Sequence, residues 1–289
     1  VWSVPSGTNP GNVASFTTDI PGSYSVIITD TVTGCFSASA SGVVTINPNP
    51  TVTVNSPSVC DGVAATVTAT LGTAGSYDYV WTVPSGANPG NVASFTTTID
   101  GVYSVIITDT VTGCFSASAS GTVTSNPNPT VTVNSPTECE GTPATVTATP
   151  SGASTYDYVW TVPSGANPGN VASFTTTIAG VYSVIITDTV TGCFSASASG
   201  TVTINPNPTV TVNSPSVCDG TSATVTATPA VAGSYDYVWS VPSGANPGNV
   251  DSFTTTIPGV YSVIITDTVT GCFSASASGV VTINPNPTV

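Results

Sequence analysis

The sequence predicts an all-β fold made of tandem β-sandwich domains in an extended array. Val, Thr, Ser, Gly, Pro and Asn dominate the composition, and these are the residues of strands and tight turns. Apolar and polar residues alternate with period two in short runs, each bounded by Gly, Pro or Asn, as expected of half-buried strands. The same pattern returns at a constant interval along the chain. We therefore expect one small domain repeated along the chain.

The repeats are marked by residues at a fixed spacing. The tryptophans recur at this constant interval, as Trp2, Trp81, Trp160 and Trp239. Division at the recurring Asn-Pro-Asn-Pro tetrapeptide predicts full repeats at 48–126, 127–205 and 206–284, a partial repeat of C-terminal strands at 1–47, and the start of another repeat at 285–289. A unit of this length suffices for one small sandwich. The chain starts in the middle of a repeat, so we expect it to be an interior part of a longer protein.

The strands can be assigned in order within the repeat 48–126. We predict strand A at 51–54, strand B at 65–70, strand C at 77–81, strand D or E at 92–99, strand F around 103–107, and strand G starting at Phe115. The aromatic residues of these strands are expected to form the core, with Trp81 on strand C. Six or seven strands with turn signals every 8–12 residues are typical of an immunoglobulin-like sandwich.

The composition excludes most kinds of chemistry. The 289 residues include no Lys, Arg, His or Met and carry a net charge of −14. The chain therefore lacks a histidine base, a lysine nucleophile and an arginine clamp, and we predict that it is not an enzyme and uses no cofactor. Without cations it is not expected to bind nucleic acid or an anionic membrane surface. No segment approaches the roughly 20 apolar residues of a membrane span, so we do not expect it to insert into a membrane. Trypsin has no cleavage site in the sequence.

The acidic residues recur in the A–B turn, in strand C and after strand F. Their ordinary role is to bind backbone groups in turns and to keep the chain soluble. A calcium ion at the joints between domains is the alternative. No calcium-loop motif occurs, so we assign no metal site.

The cysteines are predicted to form structural disulfides. Seven occur at fixed positions, one near the A–B turn and one at the F–G turn: Cys35, Cys60, Cys114, Cys139, Cys193, Cys218 and Cys272. Metal sites need closer Cys or His spacing, and reactive thiols need a base or a cation nearby. Two pairing schemes remain open. Cys60 pairs either with Cys114 of its own repeat or with Cys193 of the next, and the second scheme would lock each joint covalently.

Several segments resemble a known group of proteins. The strings VCDG, YDYVW, GVYSVIITD and TGCFSASASG are similar to the immunoglobulin-like and PKD-like repeats of large Bacteroidetes surface proteins and gliding-type adhesins. Gly101 to Val105 matches their strand F phrase. The resemblance covers every repeat and implies an extracellular location. It also implies O-glycosylation within the Asp-Thr-Val motifs, at Thr31, Thr110, Thr189 and Thr268.

These observations together predict a structural role. The proline-rich joints are short and semi-rigid, so the chain suits a cell-surface fibre or an adhesin shaft stabilised by disulfides. The alternative is an adhesin module that binds a glycan or protein repeatedly through its loops. Expected partners are covalently attached glycans and copies of the same chain along or beside the fibre.

Overall fold

The computed structural model describes residues 1–288, which are built of strands, turns and loops without a helix. No segment of these residues forms a helix able to cross a membrane. The chain divides into two compact units, the first spanning Val1–Pro127 and the second beginning at Asn128. Val289, the last residue of the short repeat expected at 285–289, lies outside the described residues.

The first unit contains ten strands. The partial repeat forms one three-stranded sheet of β1 (Trp2–Ser3), β2 (Gly22–Val26) and β3 (Ala40–Val44). The first full repeat contains β4 (Val52–Val54), β5 (Ser58–Cys60), β6 (Ala65–Leu71), β7 (Tyr77–Thr82), β8 (Ser94–Thr97), β9 (Gly101–Asp109) and β10 (Ala119–Asn126). In chain order we name these seven strands A, A′, B, C, E, F and G.

The second unit contains the same seven strands twice. One repeat has β11 (Thr130–Val133), β12 (Thr137–Cys139), β13 (Ala144–Ser151), β14 (Tyr156–Thr161), β15 (Ser173–Thr176), β16 (Gly180–Asp188) and β17 (Ala198–Asn205). The next has β18 (Val210–Val212), β19 (Ser216–Cys218), β20 (Ala223–Pro229), β21 (Tyr235–Ser240), β22 (Ser252–Thr255), β23 (Gly259–Asp267) and β24 (Ala277–Asn284).

Each full repeat is a sandwich of two sheets. One sheet has the order A-B-E and the other has the order A′-G-F-C. All pairs are antiparallel except A′ with G, which run parallel. This is an immunoglobulin-like topology in which the first strand is divided between the two sheets. The fold is therefore all-β, with tandem immunoglobulin-like domains, as the sequence predicts.

The core follows the period-two pattern of strands B and F. In strand F, Tyr103, Val105 and Ile107 are at most 2% exposed, and their neighbours point outward. Strand B buries Ala65, Val67 and Ala69 in the same way. The indole of Trp81 meets the ring of Phe95 edge-on, with ring centroids 5.0 Å apart. Core aromatics packed in this way contribute the largest buried areas of a small domain.

A buried tyrosine fastens the corner between strands E and F. The hydroxyl of Tyr103 donates a hydrogen bond to the carbonyl of Ile99 (2.9 Å) and also meets the hydroxyl of Thr97 (2.9 Å). The equivalent bonds of Tyr182 and Tyr261 are also 2.9 Å long. A tyrosine that bonds back to the backbone a few residues upstream is a hallmark of immunoglobulin-like sandwiches.

The structure corrects the assignment of strand G. Phe115 makes only an isolated bridge to Thr108, and the strand itself begins at Ala119. Phe115 is 64% exposed, so its expected place in the core is wrong. The reason is geometric: the bridge places Phe115 opposite Thr108, whose neighbour Ile107 is the residue that points inward.

The crossing of the chain from one sheet to the other was not predicted. Between strands A and A′, the carbonyl of Asn134 passes directly over Gly200 of strand G, and a Cβ at that glycine would lie 2.0 Å from the oxygen. Pro136 then precedes the three-residue strand A′. Only glycine allows this close approach of two backbones.

Candidate functional site

The joint between the last two repeats is built around the end of strand G. Strand G ends at Asn205, the first residue of the Asn-Pro-Asn-Pro joint, and pairs there with Cys139 of strand A′. The amide of Glu140 donates to the carbonyl of Asn205 (2.8 Å). The side-chain amide of Asn207 donates to the carbonyl of Glu140 (2.9 Å). These bonds hold the A′–B turn against the joint.

A disulfide crosses this joint. Cys139 at the end of strand A′ is bonded to Cys272 in the F–G turn of the following repeat, with an S–S distance of 1.99 Å and Cα atoms 5.5 Å apart. The separation of 133 residues corresponds to the neighbour-repeat scheme, and Cys139 is therefore not paired with Cys193 of its own repeat. Cys272 is fully buried.

The turn that carries Cys272 is fixed by an aspartate. One carboxylate oxygen of Asp267 accepts hydrogen bonds from the amides of Val269 (2.8 Å) and Thr270 (3.2 Å). The amide of Asp267 donates to the carbonyl of Cys272 (2.8 Å). The turn is thus set by local hydrogen bonds, as is common for aspartate in turns.

The other cysteines occupy equivalent positions. Cys60 ends strand A′ of the first full repeat, and Cys193 lies buried in the F–G turn of the second. Cys35, Cys114 and Cys218 are free thiols, and Cys35 and Cys218 are exposed. The sulfur of Cys114 lies 3.8 Å from the carbonyl of Asn47, the first residue of the preceding joint. Disulfide formation by these five residues stays a prediction.

The candidate glycosylation sites lie on the surface beside the F–G cysteines. Thr31, Thr110, Thr189 and Thr268 are all outside the buried core. In the first full repeat, the hydroxyl of Thr110 donates a hydrogen bond of 3.1 Å to the carbonyl of Ser76. Thr189 and Thr268 make the equivalent bond at the same distance. This bond ties the F–G turn to the B–C loop. A sugar on the oxygen would replace the donated proton.

Three aspartates of these motifs, Asp30, Asp109 and Asp188, are stabilised as carboxylates. The pKa of Asp109 lies below its usual value, chiefly because the amide of Val111 donates to it, followed by the amide of Thr112. The pKa values of Asp30 and Asp188 are lowered too, chiefly by the amides of Val32 and Val190. Hydrogen bonds to the charged form of a carboxyl group favour that form.

The described residues contain no group of side chains suited to metal binding. Within residues 1–288, no three Cys, Asp or Glu side chains come together in a group that could hold an ion. A cleft of about 490 Å³ lies under the C–E loop of the repeat 127–205, and its lining includes Phe174 and Tyr182 but no charged side chain. Trp81, Trp160 and Trp239 are each only 3% exposed, so the tryptophans of the full repeats belong to the core and do not form a platform for sugars.

Two features of the structure were not predicted from the sequence. Asn88 and Asn91 of the C–E loop bind the backbone of strand C. The outer face of the A′-G-F-C sheet exposes Val80, Ile106 and Phe115. The signal for the asparagines was the unchanged Ala-Asn-Pro-Gly-Asn string of every full repeat. The exposed face had no signal, because its residues have the same types as those of the core.

The comparisons with known proteins concern the fold. No protein-family model and no curated protein matches the sequence. Among solved structures, an E-to-A mutated variant of the three-domain titin fragment I67–I69 is 12% identical over 82% of this chain and 100% of its own, with a TM-score of 0.46. Immunoglobulin domains 1–5 of Sidekick-1 are 13% identical over 94% of this chain and 68% of their own, with a TM-score of 0.34. Extracellular domains 3–5 of Drosophila OTK are 10% identical over 81% of this chain and 97% of their own, with a TM-score of 0.34.

Proposed function

We propose that the chain forms part of the shaft of an extracellular fibre or adhesin, in which immunoglobulin-like repeats are joined covalently across their joints. The role of such a shaft is to provide length, stiffness and resistance to proteolysis, without catalysis or a cofactor. The proposal covers the extended arrangement of the repeats, a location on the cell surface, and a relation to Bacteroidetes-type surface proteins.

The disulfide between Cys139 and Cys272 is the observation that carries this proposal. It joins consecutive repeats, whereas a disulfide that only stabilised a domain would lie within one sandwich. A covalent bond across a joint restricts bending of the chain and carries tension from one domain to the next. Disulfides of this kind persist in oxidising compartments, which include the cell exterior.

The period of the sequence extends the neighbour-repeat pairing scheme to a second pair of cysteines. Cys60 and Cys193 have the same sequence separation as the bonded pair, 133 residues, and occupy the same positions in their repeats. We therefore assign them to an equivalent bond. Within residues 1–289, no cysteine stands at this separation from Cys35, Cys114 or Cys218, so the scheme assigns no partner to these three.

Glycans on the Asp-Thr-Val motifs complete the proposed fibre. The four threonines Thr31, Thr110, Thr189 and Thr268 lie at the surface of the F–G turns. A sugar there would cover the end of each sandwich next to the joint and would hinder proteases. Copies of the chain along or beside the fibre are the other proposed partners.

Non-reducing peptide mapping of native material tests the pairing and the glycans together. Cleavage before aspartate separates the cysteines into four peptides, 30–60, 109–156, 188–218 and 267–289. The neighbour-repeat scheme links 109–156 to 267–289 and 30–60 to 188–218. The within-repeat scheme instead links each of the four peptides to the next one along the chain. The same four peptides carry the candidate threonines, so added hexose masses appear on them if the glycans are present.

The outcomes of this experiment separate the parts of the proposal. Neighbour-repeat links with added sugar mass support the glycosylated shaft. Neighbour-repeat links without sugar support the shaft and refute the glycosylation. Free thiols, or links within repeats, would overturn the covalent joint and with it the main support for a shaft.

A second candidate function rests on the exposed face of the A′-G-F-C sheet. Val80 and Phe115 are 62% and 64% exposed, Ile106 is 39% exposed, and the other full repeats show the same exposures within a few per cent. Apolar side chains grouped on an exposed face are typical of protein-binding surfaces. A repetitive adhesin module would use this face. Replacement of Phe115, Phe194 and Phe273 by serine would then abolish adhesion of the array to its target surface, whereas a passive shaft would be unaffected.

A further inference from the structure

Strand C forms the free edge of the four-stranded sheet in every full repeat. The sheet order ends with strand C, so one side of its backbone faces away from strand F. Tyr79 lies opposite Ile107, and the backbone of Ile107 is already bonded to Ser116 on the other side of strand F. The amide of Tyr79 therefore points outward. Exposed amides and carbonyls of this kind are templates for pairing with another strand.

The C–E loop folds back over this edge and binds it through two asparagines. The side-chain oxygen of Asn91 accepts the outward amide of Tyr79 (2.7 Å), and its nitrogen donates to the carboxylate of Asp78 (2.7 Å). The nitrogen of Asn88 donates to the carbonyl of Trp81 (2.6 Å). One donor and one acceptor of the edge are thus occupied by side chains.

The loop is shaped to bring both asparagines to the strand. The oxygen of Asn88 accepts the amide of Gly90 (2.9 Å), and Gly90 has a φ of 83°, a left-handed conformation that favours glycine. The indole of Trp81 donates to the carbonyl of Val92 (2.9 Å), which anchors the end of the loop. These contacts fix the asparagines before any partner strand arrives.

The same arrangement occurs in the other full repeats. Asn170 and Asn249 accept the amides of Tyr158 and Tyr237 at 2.7 Å. Asn167 and Asn246 donate to the carbonyls of Trp160 and Trp239 at 2.7 and 2.6 Å. The contact is therefore a regular part of the repeat.

The composition of the chain explains why this edge needs protection other than by lysine. Natural sheets often protect an edge with lysine, and this chain has neither Lys nor Arg. Its repeats are also nearly identical, so any two C strands present matching sequences to one another. We infer that the asparagine pair of each C–E loop is an edge clamp, which prevents strand C from pairing with strand C of a second copy. Such pairing would join two four-stranded sheets into one.

The clamp is tested in the full chain by removing the asparagine pair either from one strand C edge or from all three. Asn88→Ala with Asn91→Ala opens one edge per molecule, and a single open edge allows dimers only. The same pair of substitutions in all three full repeats opens three edges and allows larger assemblies. Analytical ultracentrifugation should show dimers for the first variant and higher oligomers for the second, at concentrations about tenfold or more below those at which the parent chain associates.

Asn55, which directly follows strand A, provides a matched control. Asn55 makes two comparable bonds inside the A-B-E sheet, to the carbonyl of Thr66 (2.9 Å) and from the amide of Thr68 (2.7 Å). Asn55→Ala should lower the melting temperature without causing association. If the clamp variants stay monomeric, or if the Asn55 variant associates equally, the inference is wrong, because association would not depend on the edge.

Hydrogen exchange gives a second readout that does not depend on oligomer size. In the single-edge variant, the amide of Tyr79 should lose its protection when the chain is dilute and regain it when dimers form. Asn91→Asp combined with Asp78→Asn keeps an oxygen that accepts this amide and a donor–acceptor contact between the two side chains, so this exchange variant should remain monomeric. Dimers of the exchange variant, or a Tyr79 amide that exchanges slowly in the dilute Asn88→Ala, Asn91→Ala variant, would overturn the clamp.

Discussion

Because Cys139 and Cys272 are bonded, we expect the oxidised second unit to stretch much less than the same unit without the disulfide. The disulfide closes a loop of 133 residues whose ends are held 5.5 Å apart between Cα atoms. A fully extended chain spans at most about 3.3–3.6 Å per residue, so the loop hides about 440–480 Å of contour length. While the bond is intact, a pulling force passes through the sulfurs and bypasses most of both sandwiches.

Single-molecule stretching measures this length directly. The full chain would be attached through unnatural side chains at positions 128 and 288, so that Cys139 and Cys272 lie between the attachment points. The oxidised parent chain should give a final length about 440–480 Å shorter than the variant with Cys139→Ser and Cys272→Ser. Addition of a thiol reductant should lengthen the parent chain to match that variant.

The free thiol Cys218 provides the control for this experiment. Cys218 lies between the attachment points and is exposed, so Cys218→Ser should leave the short length of the oxidised chain unchanged. Equal lengths for the parent chain and the double-serine variant, without reductant, would refute the covalent joint.

Three further predictions concern stability. Tyr182→Phe removes a buried hydroxyl bond at the E–F corner and should lower the free energy of unfolding by about 1–3 kcal/mol in urea titrations followed by tryptophan fluorescence; Tyr156→Phe, which loses an exposed bond of 3.4 Å, should cost less. Gly200→Ala places a Cβ 2.0 Å from the carbonyl oxygen of Asn134 and should destabilise its repeat by about 3 kcal/mol or more in the same titration; an unchanged midpoint would contradict the crossing. The pKa of Asp188 is lowered by folding. Its contribution to the stability of the fold is therefore present above the usual carboxyl pKa and is lost as the pH falls through the lowered value. Carbon NMR of the Asp188 carboxyl should give a midpoint below 3.8, the value expected without these bonds.

The strands with strong alternation could be predicted from the sequence. Strands B and F have apolar residues on one face and mostly Thr, Ser or Val on the other, and the structure buries the predicted face in both. The position of strand G was harder to predict. Its predicted start consists of alternating serine and alanine, and such small side chains do not distinguish an inner from an outer face. The short strand A′ was missed because it has only three residues after a proline.

The candidate site was only partly accessible from the sequence. Spacing identified the cysteines and the Asp-Thr-Val motifs, but the choice between pairing schemes depends on which ends of the strands meet. In the structure, the parallel pairing of A′ with G places Cys139 beside Asn205, where the joint begins. The recurring Asn-Pro-Gly-Asn string marks the positions of Asn88 and Asn91, but their contacts with the edge could not be predicted from it, because the same string is typical of an ordinary turn.

The separation of the bonded cysteines has a consequence for a damaged chain. A single cut in the backbone anywhere between Cys139 and Cys272 leaves the two fragments connected through sulfur. If Cys60 and Cys193 form the equivalent bond proposed above, their loop overlaps this one between residues 139 and 193. Each peptide bond from Cys60 to Cys272 then lies inside at least one loop, and two cuts in the same loop are needed before the molecule falls into separate pieces.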